Sequence, residues 1–134
     1  MRKLLTIALA LASVTAAAQE QPGKIIFYRP GAMVGLAVAC PIRYEGKEVV
    51  ELGRNKFAEW EVPPGRYIFM NKTAGLEVTV APGETRYVRC AIKMGFMTGR
   101  ADLQISDRAS FEAKAGEFER KEVNAFSTAP APRK

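Results

Sequence analysis

The sequence predicts a mainly β protein: a single antiparallel β-sandwich of about seven to eight strands, followed by one C-terminal helix. Short apolar or β-branched stretches alternate with polar residues at a two-residue period, and Gly- and Pro-rich turns separate these stretches. No helical pattern lies between the strands, as a parallel α/β sheet would require. The 134 residues, 48% of them hydrophobic, suit one domain with its own core.

The N-terminus is typical of a secretory signal peptide, which we predict to occupy residues 1–18. Arg2 and Lys3 precede an apolar run over residues 4–14, and three alanines at 16–18 suit cleavage by signal peptidase.

A membrane anchor is disfavoured, because a span needs about 20 apolar residues and polar residues begin at Gln19. A lipoprotein would need a cysteine directly after the cleavage point, and the first cysteine is Cys40. We therefore expect an exported chain without a stable membrane anchor, periplasmic in a Gram-negative source and otherwise secreted.

In the rest of the chain, turn-forming residues precede and follow each predicted strand. Glu45-Gly46, Pro63-Pro64-Gly65 and Ala81-Pro82-Gly83 are the clearest turns, since Pro fixes φ and Gly permits positive φ. The predicted strands comprise residues 24–29, 36–44, 47–52, 56–62, 66–71, 76–80, 84–93 and 101–106.

The second of these strands contains Pro41, which cannot donate to a strand ladder. Its presence predicts an edge position or a bulge. On the opposite face of the same strand the two-residue period places five residues that we expect to be buried: Leu36, Val38, Cys40, Ile42 and Tyr44.

The chain changes character after Ser106. Phe111, Ala115 and Phe118 recur at helical spacing, and Ser106 or Asp107 could cap a helix there. Such a helix more often covers its own sheet than docks on a partner. The predicted organisation is a signal peptide at 1–18, a linker at 19–23, a sandwich at 24–106, a helix at 107–126 and a disordered tail at 127–134.

The order of the turns resembles that of a family of exported bacterial domains of unknown function. The segments that carry the resemblance are Y-R-P-G-A-M-V-G (28–35), E-G-K (45–47), V-V-E-L-G-R-N (49–55) and V-P-P-G-R-Y (62–67). They correspond to the family's R-P-x-x-x-x-G opening, its D-G-K hairpin and its P-G-x-H or P-G-x-Y turn.

The P-P-G-x-Y turn, followed by a strand and A-P-G-E-T, is more distantly similar to PEGA-like and transthyretin-like sandwich modules. The resemblance covers about residues 24–106 and implies a β-sandwich and export, but no reaction. Glu45 stands where the family usually has Asp, and Tyr67 stands where many members have His.

Cys40 and Cys90 are the only cysteines, and an even number in an exported protein predicts a disulfide. Both share a strand face with large apolar residues, so a bridge between two sheets is geometrically feasible. The alternative is a pair of buried thiols. Two cysteines without histidine cannot supply the four ligands of a zinc site, and we expect no metal or other cofactor.

The sequence contains no histidine, which removes the commonest general base and every Ser-His-Asp or Cys-His arrangement. Glu59 and Glu61 share one face of a predicted strand, and paired acids can hydrolyse glycosides. An alternation with Trp60 and Val62 is instead typical of a strand with one solvated face. We predict that the chain is not an enzyme.

Four residues are candidates for an interaction surface or for organising a loop: Tyr28, Arg29, Tyr44 and Tyr67. The aromatic ones, together with Trp60, could form a binding surface, although aromatic residues of small sandwiches are more often core. Arg29 could bond loop carbonyls or face a ligand, and the structural role is favoured.

The charge balance is mildly basic, with 20 Lys and Arg against 14 Asp and Glu. Such a charge favours contact with anionic envelope polymers or lipids, but no basic run with interleaved aromatics indicates nucleic acid. We expect a non-catalytic envelope module that binds a protein or polymer. The alternatives are a structural or stress-related periplasmic protein without a dedicated ligand, and a hydrolase that works without histidine.

Overall fold

Two β-sheets pack face to face in the computed structural model, which describes residues 21–31, 38–72, 74–94 and 99–124. One sheet has five strands in the order β8-β7-β1-β4-β9, and the other has four in the order β3-β2-β5-β6. The elements are β1 (Gly23–Arg29), β2 (Cys40–Tyr44), β3 (Lys47–Leu52), β4 (Lys56–Val62), β5 (Gly65–Asn71), β6 (Ala74–Val80), β7 (Thr85–Met94), β8 (Gly99–Ser106), α1 (Arg108–Glu112), a 3-10 turn (Ala115–Glu117) and β9 (Glu119–Arg120).

The predicted fold class, a β-sandwich, is confirmed, and the bounds of β3 and β4 coincide with their predictions. The predicted signal peptide and C-terminal tail lie outside the described residues. Five of the seven strand pairs are antiparallel, whereas β1–β7 and β4–β9 are parallel. The chain returns to the five-stranded sheet after β6, and β7 therefore enters beside β1 in the same direction.

The bulge predicted from Pro41 is present in β2. The register with β3 shifts between Ile42 and Arg43, one residue after the proline. Although β2 lies inside its sheet, it pairs with β5 only through Arg43 and Tyr44. Pro41 thus lies where β2 has a paired neighbour on one side alone, as a residue without an N–H requires.

Alternate residues of the strands fill the space between the sheets. On β4, for example, Ala58, Trp60 and Val62 are buried, whereas Glu61 is exposed. The core is rich in aromatic rings, and Phe69 of β5 contacts rings from both sheets. The partners of Phe69 are Phe27, Tyr44, Trp60 and Tyr67, at centroid distances of 5.0, 5.9, 5.9 and 6.3 Å.

The C-terminal helix is present but shorter than the predicted span of 107–126. Asp107 caps it as predicted, by accepting a hydrogen bond from the Ser110 amide at 2.7 Å. The helix ends at Glu112, and the chain then extends along the edges of both sheets. The amide of Lys121 donates to Phe57 on β4, and that of Asn124 donates to Val49 on β3, at 2.8 and 2.9 Å.

These edge hydrogen bonds explain why the helix stops early. A short isolated helix is only marginally stable in water. An extended chain can instead donate its amide hydrogens to the unpaired carbonyl groups at the edges of β4 and β3. Gly116, a poor helix former, lies in the 3-10 turn between the two conformations.

Residues 107–118 cover the outer face of the five-stranded sheet, as expected for a segment that packs on its own domain. The Phe111 ring lies 5.3 Å from Tyr28, 5.6 Å from Phe57, 5.7 Å from Tyr87 and 5.4 Å from Phe118, measured between centroids. A second apolar layer therefore lies outside the sandwich core.

We expect Phe111→Ala to lower the free energy of unfolding by about 2 kcal/mol, because truncation removes a partly buried ring from four aromatic contacts. Urea unfolding followed by the fluorescence of Trp60, the single tryptophan, measures the change. The control is Glu117→Ala, an exposed substitution in the same segment that should cost less than about 0.5 kcal/mol. Equal effects of the two substitutions would contradict a packed outer layer.

Candidate functional site

Cys40 and Cys90 form the disulfide that the sequence predicts. The bond links β2 of the four-stranded sheet to β7 of the five-stranded sheet, with Cα atoms 6.7 Å apart. Both residues are at most 1% exposed, and the side-chain amide of Asn71 donates to the Cys40 sulfur at 3.6 Å. Burial indicates a structural bond rather than a redox site. A disulfide is also consistent with an exported protein.

Arg29, at the end of β1, is a buried cation with only 4% of its surface exposed. One of its terminal nitrogens donates to the carbonyl of Val38 at 2.6 Å and to the carbonyl of Leu52 at 3.0 Å. Burial lowers the pKa of the guanidinium. The side chain connects the five-stranded sheet to the start of β2 and the end of β3, which is the carbonyl-bonding role that the sequence favours.

We expect Arg29→Lys to destabilise the fold by about 2 kcal/mol, although the charge is retained. A single ammonium group on a flexible stem cannot reproduce the planar fork, and a buried carbonyl left without a donor costs about 1–3 kcal/mol. Urea unfolding measures the loss. Arg54→Lys, at an exposed turn position, is the matched control and should change stability by less than about 0.5 kcal/mol. A neutral Arg29→Lys would show that the two carbonyls do not need the guanidinium.

The tyrosines that the sequence offers as a binding surface lie in packed layers. Tyr28, Tyr44 and Tyr67 are at most 6% exposed, and Trp60 is 3% exposed. Tyr28 belongs to the outer layer under Phe111, where its hydroxyl shares a hydrogen bond with Ser106. The other three rings lie in the sandwich core, and of these Tyr44 also reaches the surface groove described below.

Tyr67 fixes the turn that precedes its own strand, because its hydroxyl donates to the carbonyl of Pro63 four residues earlier. This arrangement resembles the tyrosine corner of other β-sandwiches. Burial, and to a smaller degree the proximity of Tyr44, raises the pKa of Tyr67 to about 12. Its hydroxyl therefore stays protonated, and remains a donor, well into alkaline solution.

We expect Tyr67→Phe to cost about 1–2 kcal/mol at neutral pH, the contribution of a buried hydroxyl hydrogen bond. The folded pKa lies above the unfolded value of 10, so this contribution is complete below pH 10 and is lost as the pH rises through about 12. The stability difference between the wild-type protein and Tyr67→Phe should therefore shrink over that interval. Urea unfolding at pH 8 to 12 tests this expectation, and a constant or growing difference would contradict it.

The two acids that the sequence pairs on one strand face are held in ion pairs or face water. Glu59 lies 3.7 Å from Lys24 and 3.6 Å from Arg120, and Glu61 is exposed. A hydrogen bond from Lys93 is the main cause of the lowered pKa of Asp102. Within the described ranges, no group of three or more Cys, Asp or Glu side chains could hold a metal ion. The same ranges contain no helix with the length and apolarity needed to cross a membrane.

An open groove runs beside β5 on the outer side of the four-stranded sheet. We call it the β5 groove; its volume is about 230 Å³, and it is lined by Tyr44, Glu45, Gly46, Arg66, Ile68 and Met70. The chain turns away from β5 at Glu45-Gly46, both at positive φ (50° and 80°), so that β2 ends early. Gly65–Ile68 is consequently paired with β6 on one side only.

The β5 groove combines apolar side chains with charges of both signs. Ile68 and Met70 are 47% and 44% exposed, which is unusual for large apolar residues of this protein. The Arg66 guanidinium lies 3.7 Å from Glu77 of β6, and Glu45 also lines the groove. This site was not predicted from the sequence. The available signal was the unbroken apolar run Tyr67–Met70, which departs from strict alternation; β1 has a similar run, Ile25–Tyr28, but its residues are buried.

A second groove lies beside α1 on the five-stranded sheet. Its volume is about 450 Å³, and its walls are mostly polar: Lys24, Ile26, Thr85, Tyr87, Arg108 and Glu112. Its charged groups have partners, as Arg66 of the β5 groove does. Its one aliphatic side chain, Ile26, is only 6% exposed, against 47% and 44% for Ile68 and Met70. The β5 groove is therefore the stronger candidate for a ligand site.

Comparison of the chain with protein-family models gave no match, and a search of curated proteins gave none either. The resemblance of its turns to exported domains therefore stays a prediction.

Proposed function

We propose that this chain is an exported cell-envelope domain that acts as a non-catalytic binding module, and that its ligand is an extended protein segment bound in the β5 groove. One observation carries the proposal. Two large apolar side chains, Ile68 and Met70, stand nearly half exposed beside a strand, β5, that has a paired neighbour on only one side at Gly65–Ile68.

The geometry of the groove supports a protein ligand over a carbohydrate polymer. An extended peptide can add to an open strand side through backbone hydrogen bonds, while its side chains enter adjacent apolar pockets. Methionine adapts its shape to different side chains, and Ile68 provides a fixed apolar wall beside it. A polar polymer would gain little from burying these two residues.

Binding is also favoured over catalysis by the state of the acids. The carboxyl of Asp102 has a lowered pKa and so cannot act as a general acid near neutral pH. Glu59 is shared between two cations, in an arrangement typical of a structural ion pair. Export, periplasmic in a Gram-negative source, is supported by the buried disulfide together with the signal-like N-terminus.

Photo-crosslinking in cells of the native host tests this proposal. Benzoylphenylalanine placed at position 68 should capture one recurrent envelope protein. The same probe at position 105 should not, although Ile105 on β8 is exposed to a similar degree, 45% against 47%. The captured band is identified by mass spectrometry.

A loss-of-binding variant completes the experiment. We expect Ile68→Ser combined with Met70→Ser to lower recovery of the captured partner at least tenfold, because hot-spot contacts of this size are worth about 1–2 kcal/mol each. Ile105→Ser is the matched control and should leave recovery unchanged. Equal capture from positions 68 and 105, or none from either, would contradict the proposal and favour a structural envelope protein without a dedicated ligand.

A further inference from the structure

The hairpin of β7 and β8 places two cations directly opposite each other. Lys93 on β7 pairs in register with Arg100 on β8, and Arg89 lies on the same face four residues before Lys93. Like charges at directly opposed positions destabilise a strand pair. The repulsion between Lys93 and Arg100 therefore destabilises the hairpin. Unfavourable local interactions of this kind are expected at functional surfaces.

Within the described part of the chain, Asp102 is the one carboxylate that offsets these three cations on that face. Asp102 lies 3.0 Å from the Lys93 ammonium and also attracts Arg100, and both interactions contribute to its lowered pKa. Among the described residues, Arg89 and Arg100 take part in no ion pair, and both are exposed. We call Arg89, Lys93 and Arg100 the cationic hairpin face.

The hairpin also extends beyond its neighbour in the sheet. β1 pairs with β7 only from Thr85 to Arg89, whereas β7 continues to Met94 opposite β8. Five residues of β7 thus continue past the last β1 pairing, a length of about 17 Å at 3.4 Å per residue. Lys93 and Arg100 lie near the far end of this extension, whereas Arg89 pairs in register with Tyr28, which the segment 107–118 covers.

We propose that the cationic hairpin face is a contact surface for anionic lipid headgroups of an envelope membrane. Its charges lie on the outer side of a sheet rather than in a cleft, and none of them lines either groove described above. A flat array of cations complements a flat anionic surface, whereas a single polymer chain is held better by a groove. The extended hairpin lets Lys93 and Arg100 reach a plane while the β5 groove, on the other sheet, stays accessible.

The binding energy follows from charge alone. A Lys or Arg near an anionic leaflet contributes about 1 kcal/mol, which is roughly a fivefold gain in affinity for each cation. Three such contacts give reversible, salt-sensitive association, since exposed charges are screened over about 10 Å at 0.1 M salt. This contact is independent of the proposed protein ligand, and either can fail without the other.

Vesicle flotation with the purified exported protein tests the proposal. Vesicles of phosphatidylcholine with an equal amount of phosphatidylglycerol should bind the protein, and vesicles of phosphatidylcholine alone should not. We expect Lys93→Gln combined with Arg100→Gln to lower the affinity for the anionic vesicles roughly 30-fold, and Arg89→Gln, which breaks no ion pair, to lower it about fivefold.

The matched control removes the same number of charges elsewhere. Arg54→Gln combined with Lys114→Gln, both at exposed positions outside the hairpin, should leave the affinity within about twofold of the wild-type value. Urea unfolding confirms that each variant is folded. The assignment would be overturned if the two double variants lost affinity equally, or if the protein bound both kinds of vesicle equally. It would also be overturned if Arg89→Gln weakened binding to soluble polyphosphate but not to anionic vesicles.

Discussion

The packing of aromatic rings between the sheets is the interaction on which the rest of the structure depends. Phe69 contacts Phe27 and Trp60 from one sheet and Tyr44 and Tyr67 from its own. Together these rings fill the layer that separates two packed sheets by about 10 Å. Because the inner faces are occupied by this packing, the polar and charged side chains that could bind a ligand are left to the outer faces.

The two outer faces meet this constraint in different ways. On the five-stranded sheet the C-terminal segment covers the rings of Tyr28 and Phe57 with Phe111 and then extends along the edge of β4. That coverage protects a sheet edge that would otherwise be open to aggregation. Among the residues that the structure describes, none forms a comparable cover over β5, where Ile68 and Met70 are 47% and 44% exposed.

Strands and turns could be predicted from the sequence because they depend on local rules. The bounds of β3 and β4 follow from flanking turns, and the Cys40–Cys90 pairing follows from the count and facing of the cysteines. The extended conformation after the 3-10 turn could not be predicted, since it arises from hydrogen bonds to strands about 65 to 75 residues earlier in the chain. Helical spacing of Phe111 and Phe118 does not reveal that competition.

The two candidate surfaces could not be predicted for a related reason: both depend on the register in which neighbouring strands pair. The β5 groove exists because β2 stops pairing with β5 where the chain turns away at Glu45-Gly46. The cross-strand position of Lys93 and Arg100 is likewise set by how β7 and β8 align. A strand pattern identifies which face a residue occupies, but not which residue lies beside it on the next strand. In a sandwich whose core is filled, those lateral neighbours determine the surface chemistry, and the fold class can therefore be predicted from sequence more readily than the site.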